Sequence, residues 1–328
     1  MRVSSRKITR IVGHVHEKDE ELVIEKATVF VHKINEKIET MNLYDPVVWN
    51  ADQSGFEYEP IRNRTITYKG EKIVEARVTN KSGTTHSYTL QLHMSKAGKL
   101  GKRAMICFQE PKTKDHFGPL IQRNLDELLE VCSNIAVTCS SSGKFSKTLM
   151  RDWFDRVFSQ DVHSESLLIL DAWSGQGESA QLVLPDVSIE YIPDGATKYI
   201  QPLDVYFFRQ YKILIKNVVE ACRDAYFSEE SKVRPSCRYF IVRLHSLCLN
   251  QVSHPRFFNM WRYAWQKPGY VVDESVDSFE DLSEILLKPL RQPDARCMTH
   301  DRLPLMRCVY CHDFICLSCF FDPIHLHL

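Results

Sequence analysis

Ser166-Leu167-Leu168-Ile169-Leu170-Asp171-Ala172-Trp173-Ser174-Gly175 is a short apolar run that ends abruptly in an acid. Consecutive leucine and isoleucine leave no polar face, which marks a strand covered on both sides. An acid just past such a strand stands at its mouth, where open α/β sheets place their sites. Around this strand the period of the chain changes repeatedly. Upstream, Val23, Ala27, Phe30, Ile34, Ile38 and Met41 step by three or four, predicting a helix over residues 18–41. Val47-Val48-Trp49 leads into Asp52 as a short strand, and 65–68 and 72–79 read as extended. Tyr88, Leu90, Leu92 and Met94 alternate with polar neighbours, the period of a strand, and Met105 to Phe108 is another.

Downstream, after the turn Ser140-Ser141-Ser142-Gly143, the residues Phe145, Leu149, Met150, Trp153, Phe154, Val157 and Phe158 form a helical stripe. Val187 to Ile192 is a second strand, closed by the turn Pro193-Asp194-Gly195. Helical patterns occupy 203–226 and 236–251. A strand meander followed by alternating helices and strands predicts an α/β domain with a mixed sheet.

The composition agrees. The chain has 328 residues, 44% hydrophobic and 26% charged, which excludes wholesale disorder. No apolar stretch approaches the ~18 residues of a membrane span, and residues 1–7 lack the apolar core of a signal peptide. The 42 basic and 42 acidic residues balance, so any attraction to nucleic acid has to come from local patches. The chain reads as soluble and intracellular. Six cysteines, Cys107, Cys132, Cys139, Cys222, Cys237 and Cys248, are scattered among apolar neighbours and read as buried free thiols.

Three acids stand out. Asp52 and Asp171 each close a strand. Asp204 opens a helix in Gln201-Pro202-Leu203-Asp204, where a first-turn acid also complements the helix dipole. Glu57 and Glu59 read as surface acids, and Asp194 has a local role in its turn.

Taken together, three segments resemble DDE-superfamily transposases of the pogo branch, in the mariner-like group. They are Asp52-Gln53-Ser54-Gly55-Phe56-Glu57-Tyr58-Glu59, Leu170 to Gly175, and Ile192 to Lys212 with its trailing Tyr206-Phe207-Phe208-Arg209-Gln210-Tyr211-Lys212. The 32 residues between Asp171 and Asp204 are similar to the spacing in the branch whose third acid is aspartate. The resemblance covers residues 5–270 and implies an RNase H-like mixed sheet flanked by helices. It further implies Asp52, Asp171 and Asp204 as catalytic ligands of two Mg²⁺ or Mn²⁺ ions, which prefer carboxylate oxygen.

The implied activity is DNA cleavage and strand transfer in the nucleus, with DNA and a second copy of the chain as partners. The alternative is a host-retained, noncatalytic nuclear protein that binds DNA or another protein. Relatives carry a paired helix-turn-helix region ahead of the catalytic domain, and residues 1–41 read as a remnant of the end of such a region. Lys96, Lys99, Lys102 and Arg103, in a loop between strands, are the expected DNA contacts.

The end of the chain has a different chemistry. Five of the 11 cysteines and four of the 13 histidines fall in residues 297–328, as Cys297-x2-His300, Cys308-x2-Cys311, Cys316-x2-Cys319 and His325-x-His327. Four pairs of thiolates and imidazoles suffice for two tetrahedral zinc ions. The order resembles a B-box-type module, which implies that the first and third pairs share one ion and the second and fourth the other. His312 and Asp322 are substitutes for His327. Such a module would bind a protein partner.

The acidic run 273–284, followed by Pro289 and Pro293, reads as an exposed linker that lets the two parts fold independently. The expected organisation is 1–41 basic segment and helix, 42–270 RNase H-like domain, 271–296 linker and 297–328 zinc module.

Overall fold

The structure is a computed structural model that describes residues 17–60, 86–110, 116–172, 184–227, 236–271, 278–292, 294–321 and 324–327, with 234 and 276. The basic segment 1–16, the extended stretches expected at 65–68 and 72–79, and the motif residues 173–175 lie outside them.

Helix α1 (Glu17–Thr40) comes first. Six strands form one sheet: β1 (Val48–Glu57), β2 (Ser87–Ser95), β3 (Ala104–Gln109), β4 (Ile135–Ser140), β5 (Ser166–Asp171) and β6 (Val187–Ile192). Their order is β4-β3-β2-β1-β5-β6. The first three strands are an antiparallel meander, while β4 runs parallel to β3 and β5 and β6 run parallel to β1. This is the mixed, RNase H-like sheet expected from the sequence, with helices on both faces.

The pleat sorts the side chains. Trp49 and Ala51 of β1 and Leu168 and Leu170 of β5 pack against α3 (Lys147–Arg156), whose Trp153 and Phe154 are buried. Val48 and Phe56, with Leu167 and Ile169, face the larger core. That core is built on α5 (Phe208–Phe227), α6 (Arg238–Val252) and α7 (Phe258–Gln266). Because strand side chains alternate, Asn50, Asp52 and Asp171 share this second face. Helix α2 (Pro119–Val131) precedes β4, and the short α4 (Thr197–Ile200) leads toward α5. Lys33 and Lys37 of α1 bind Glu190 of β6 at 2.8 and 2.7 Å and tie α1 to the sheet edge.

The expected exposed linker is not one. Val276, Leu282, Ile285 and Leu286 are buried. Leu282, Ile285 and Leu286 step by three and one along a helical turn, which puts an apolar face under an acidic surface. The tail is not separate either. Its hairpin, β7 (Pro304–Arg307) and β8 (Phe314–Cys316), contributes Leu305, Met306 and Ile315 to the main core. Phe320 stacks on Phe240 of α6 at 5.9 Å. Gln251 Oε1 accepts the Val309 N–H at 2.8 Å, and Asn250 exchanges two hydrogen bonds with the His327 backbone at 2.9 and 3.2 Å.

Apolar contacts of this kind contribute roughly 1.5–3 kcal/mol per fully buried side chain. Ending the chain at residue 285 is therefore expected to lower the midpoint of thermal unfolding by at least ~5 °C. An unchanged midpoint in circular dichroism would show that the tail does not brace the sheet domain.

Candidate functional site

Asp52 lies in β1, two residues beyond Asn50, the last residue of its ladder with β5. Extending that register by two places Asp52 level with Asp171, the last residue of β5. The third acid comes from the helical layer packed on the face that Asp52 and Asp171 share. Residues Leu203–Phe207 form one π turn that runs into α5, and Asp204 lies in its first turn. π turns are rare and recur at functional sites. The structure thus brings Asp52 and Asp204 together and sets Asp171 beside them, although the three carboxylates do not all lie within 4.8 Å of one another. Thr197 Oγ1 donates to Asp171 Oδ1 at 2.7 Å and fixes that carboxylate.

The electrostatics of the pair are unfavourable. Burial, the charge of Asp204 and that of Asp171 hold the Asp52 carboxyl well above the usual range, against one backbone hydrogen bond from Gln53. Asp204 reaches solvent, and partial desolvation raises its carboxyl, offset first by a hydrogen bond from the Asp52 carboxyl and then by Lys212. Oδ2 of Asp52 is shielded from solvent and meets no donor among the described residues. A carboxyl raised in this way and set against a second carboxylate shares a proton with it or takes a cation. Hard divalent cations take such oxygen ligands, so the residues present fit Mg²⁺ or Mn²⁺.

Lys212 was not singled out by sequence reasoning. It follows Asp204 by eight residues, about two helical turns, so it shares that face. Burial lowers its ammonium pKa, opposed by Asp204, Asp52 and Glu57. The i, i+8 spacing within the Ile192–Lys212 motif was the available signal.

The rival acids separate. Glu57 and Asp194 are exposed. Glu59, expected at the surface, is fully buried, because β1 ends at Glu57 and the chain bends, which breaks the strand alternation. The basic loop is not brought to the acids. Lys96 pairs with Asp45 at 2.8 Å, Lys102 Nζ donates to Gln160 O, and Arg103 Nε donates to Ser133 O. Lys99 lies 5.9 Å from the Phe258 ring centroid. Lys96 N binds Val48 O at the start of β1. Four residues of strand, ~13 Å, separate that point from Asp52.

All eight expected tail ligands gather in two groups. Cys297, His300, Cys316 and Cys319 form one, and Cys308, Cys311, His325 and His327 the other, each with its ligand atoms within 4.8 Å. In the first group Cys319 Sγ lies 3.6 Å from Cys297 Sγ and 3.8 Å from Cys316 Sγ, and each of the three sulfurs is 3.5 Å from His300 Nδ1. In the second, Cys308 Sγ is 3.4 Å from His327 Nε2, Cys311 Sγ 3.2 Å from His325 Nε2, and the two imidazole nitrogens 3.2 Å apart. Metal–ligand bonds of ~2.0–2.3 Å in a tetrahedron require edges of ~3.3–3.8 Å.

The first pair of each group closes with the same turn. Asp301 and His312, directly after the pairs, have φ of 46 and 68, and their N–H groups bind Cys297 O and Cys308 O at 2.8 and 3.1 Å. His312 thus makes the turn and is not in the ligand group; Asp322 lies outside the described residues. In the second group the Cys308 thiol is lowered to about 6, where burial is outweighed by hydrogen bonds from His325 and backbone N–H groups.

Residues 119–267 match the family model described as DDE superfamily endonuclease, a stretch that includes Asp171 and Asp204 but not Asp52. Among curated proteins, none matches the chain in sequence. Solved structures that resemble it include the mariner Mos1 paired end complex with Mg, at 9% identity and a TM-score of 0.41 over 85% of this chain and 68% of that one. The Mos1 mariner paired end complex with Mn is 10% identical, with a TM-score of 0.38 over 82% and 68%. The catalytic domain of Mos1 mariner transposase is 9% identical, with a TM-score of 0.32 over 80% and 100%. Likeness at this level carries no activity from one protein to the other.

In the metal-free fold Asn needs no proton to sit beside Asp204, whereas the raised carboxyl of Asp52 costs stability above the ordinary carboxylate range. In excess chelator, Asp52→Asn is expected to be more stable than the wild type by about 1–2 kcal/mol, a rise of roughly 2–5 °C in the unfolding midpoint. A less stable Asp52→Asn chain would show that the Asp52–Asp204 contact is not repulsive.

Proposed function

We propose that the sheet domain is a divalent-metal-dependent DNA endonuclease with strand-transfer chemistry, and that Asp52, Asp171 and Asp204 hold its two ions. The supporting observation is the convergence of three carboxyls, with Asp52 beside Asp204 and Asp171 on the same face of the sheet. The match to the DDE superfamily endonuclease model over the Asp171–Asp204 stretch supports the reaction class.

When bound, the ions would neutralise charge at a DNA phosphate and steady the attacking and leaving oxygens of an in-line displacement. The chain supplies the rest. Thr197 orients Asp171 by its 2.7 Å hydrogen bond, so that carboxylate enters the site with one oxygen already committed. Lys212 places a cation near Asp204, which limits the net negative charge a phosphodiester meets. Asp52, on the central strand, is held by the β-ladders on both sides of β1.

The tail is assigned two structural zinc ions. Three thiolates with one imidazole, and two thiolates with two imidazoles, are closed donor sets that leave no position open for chemistry. Soft sulfur ligands and hard carboxylates select different metals, so the two systems do not exchange roles. The outer face of the tail is the proposed surface for a protein partner.

The test is Mn²⁺-dependent nicking of supercoiled DNA by the full chain. The wild type should nick, and Asp52→Asn, Asp171→Asn and Asp204→Asn should each lose at least ~100-fold in rate while staying folded. Equal nicking by wild type and all three variants, or none by the wild type, would refute the assignment and favour the noncatalytic alternative. Metal analysis of the same preparation should find about two zinc ions per chain, falling to about one in Cys308→Ser/Cys311→Ser. A chain purified without zinc, resistant to a strong chelator, would refute the tail assignment.

A further inference from the structure

Two amide side chains lie at the centre of the acid site without being part of it. Asn50 and Gln201 are both fully buried, with 0% exposure. Asn50 Nδ2 donates to Gln201 Oε1 at 2.9 Å and to Ile169 O at 3.0 Å. Asn50 Oδ1 accepts the Leu203 N–H at 3.1 Å. Gln201 Nε2 donates to Ala51 O at 3.2 Å.

The backbone partners are the informative part. Ile169 is two residues before Asp171 on the same side of the pleat, Ala51 is the neighbour of Asp52, and Leu203 is the neighbour of Asp204. One pair of amides therefore grips the backbone within two residues of every acid. An amide has two donor hydrogens and a carbonyl oxygen. Asn50 commits both of its hydrogens and its oxygen here. Each bond also has a structural cause. The β1–β5 ladder ends at Asn50↔Ile169, and an N–H in the first turn of a helix, such as that of Leu203, lacks an intrahelical acceptor.

We propose that Asn50 and Gln201 form a clamp that sets the relative placement of the three carboxylates, which makes them positioning residues for the divalent-ion site. The inference rests on the reading of those acids as metal ligands. An apolar pair of similar volume would fill the same space, but it would leave Asp204 placed by helix packing alone. Partners that hold metal ligands in place typically affect metal affinity 10–100-fold when removed, and a misplacement of ~1 Å is enough to matter chemically.

The experiment uses the full chain, with Mn²⁺ alone as the probe, titrated by calorimetry. Gln201→Met and Asn50→Leu keep burial and approximate volume while removing the hydrogen bonds. Asp171→Asn runs in parallel, and a crystal structure of Gln201→Met is the second readout. Each single variant is expected to weaken Mn²⁺ binding by ~10–100-fold. The double variant should be no weaker than the weaker single, because the amides act as one unit. Asp204 should lie ~1 Å or more from its wild-type position relative to Asp52.

An unmoved Asp204 overturns the clamp whatever the affinity. So does Mn²⁺ affinity within about twofold of a wild type whose binding requires Asp171. If wild type and Asp171→Asn bind Mn²⁺ alike, the metal reading fails, and the position of Asp204 alone then decides the clamp as a device that places the acids. Should Gln201→Met fail to fold, Gln201→Asn carries both measurements. It keeps the amide but is one carbon too short to reach Asn50 and Ala51 together.

Discussion

The parallel ladder between β1 and β5 lasts for three residue pairs and stops two residues short of the acids. That early end is the constraint around which the rest of the site is arranged. Beyond Asn50↔Ile169 the two strands no longer satisfy each other, so polar side chains and the π turn ahead of α5 occupy the space between them. The same break lets Asp204 approach Asp52 from the helical side. Oδ2 of Asp52 is shielded beside an Asp204 that itself reaches solvent, and carboxyls perturbed in this way cluster at functional sites.

The tail changes what counts as the sheet domain. Its two Cys/His groups gather around a short hairpin that could not build a core of its own. That hairpin in turn covers α6, through Phe320 on Phe240 and through the amides of Asn250 and Gln251. Helix α6 also carries His245, whose buried ring is held between the hydroxyls of Tyr88 on β2 and Tyr211 on α5 at 2.8 and 2.9 Å. Burial lowers the pKa of that imidazole to about 3, so it stays neutral and bridges sheet and helix at ordinary pH. A continuous path of packed side chains therefore joins the Cys/His-rich tail to the helix that begins beside Asp204.

Much of this was legible in the sequence where period or spacing was strong. The β5 and β6 runs and the helical stripe of α1 were read within a residue or two because burial repeats along them. The tail pairs were equally plain, since metal geometry restricts the gaps between ligands. Helix α2, strand β4 and helix α7 were not read. Only Leu125 and Leu128 of α2 are buried, which leaves a thin stripe. All six residues of β4 are buried, so no alternation marks it, and it runs directly into the Ser140–Gly143 turn. The run 273–284 was read by its charge, and the apolar face of Leu282, Ile285 and Leu286 was overlooked. The clamp of Asn50 and Gln201 could not be read at all, because their contact depends on a chain separation of 151 residues closing in space.

The central claim is that the three aspartates form a cation site, and manganese anomalous scattering tests it most directly. Crystals of the full chain soaked in Mn²⁺ should show anomalous density among the carboxylates of Asp52, Asp171 and Asp204. That density should be missing from Asp52→Asn crystals treated in the same way. Manganese bound elsewhere on the chain, with no density at these carboxylates in the wild type, would contradict the account.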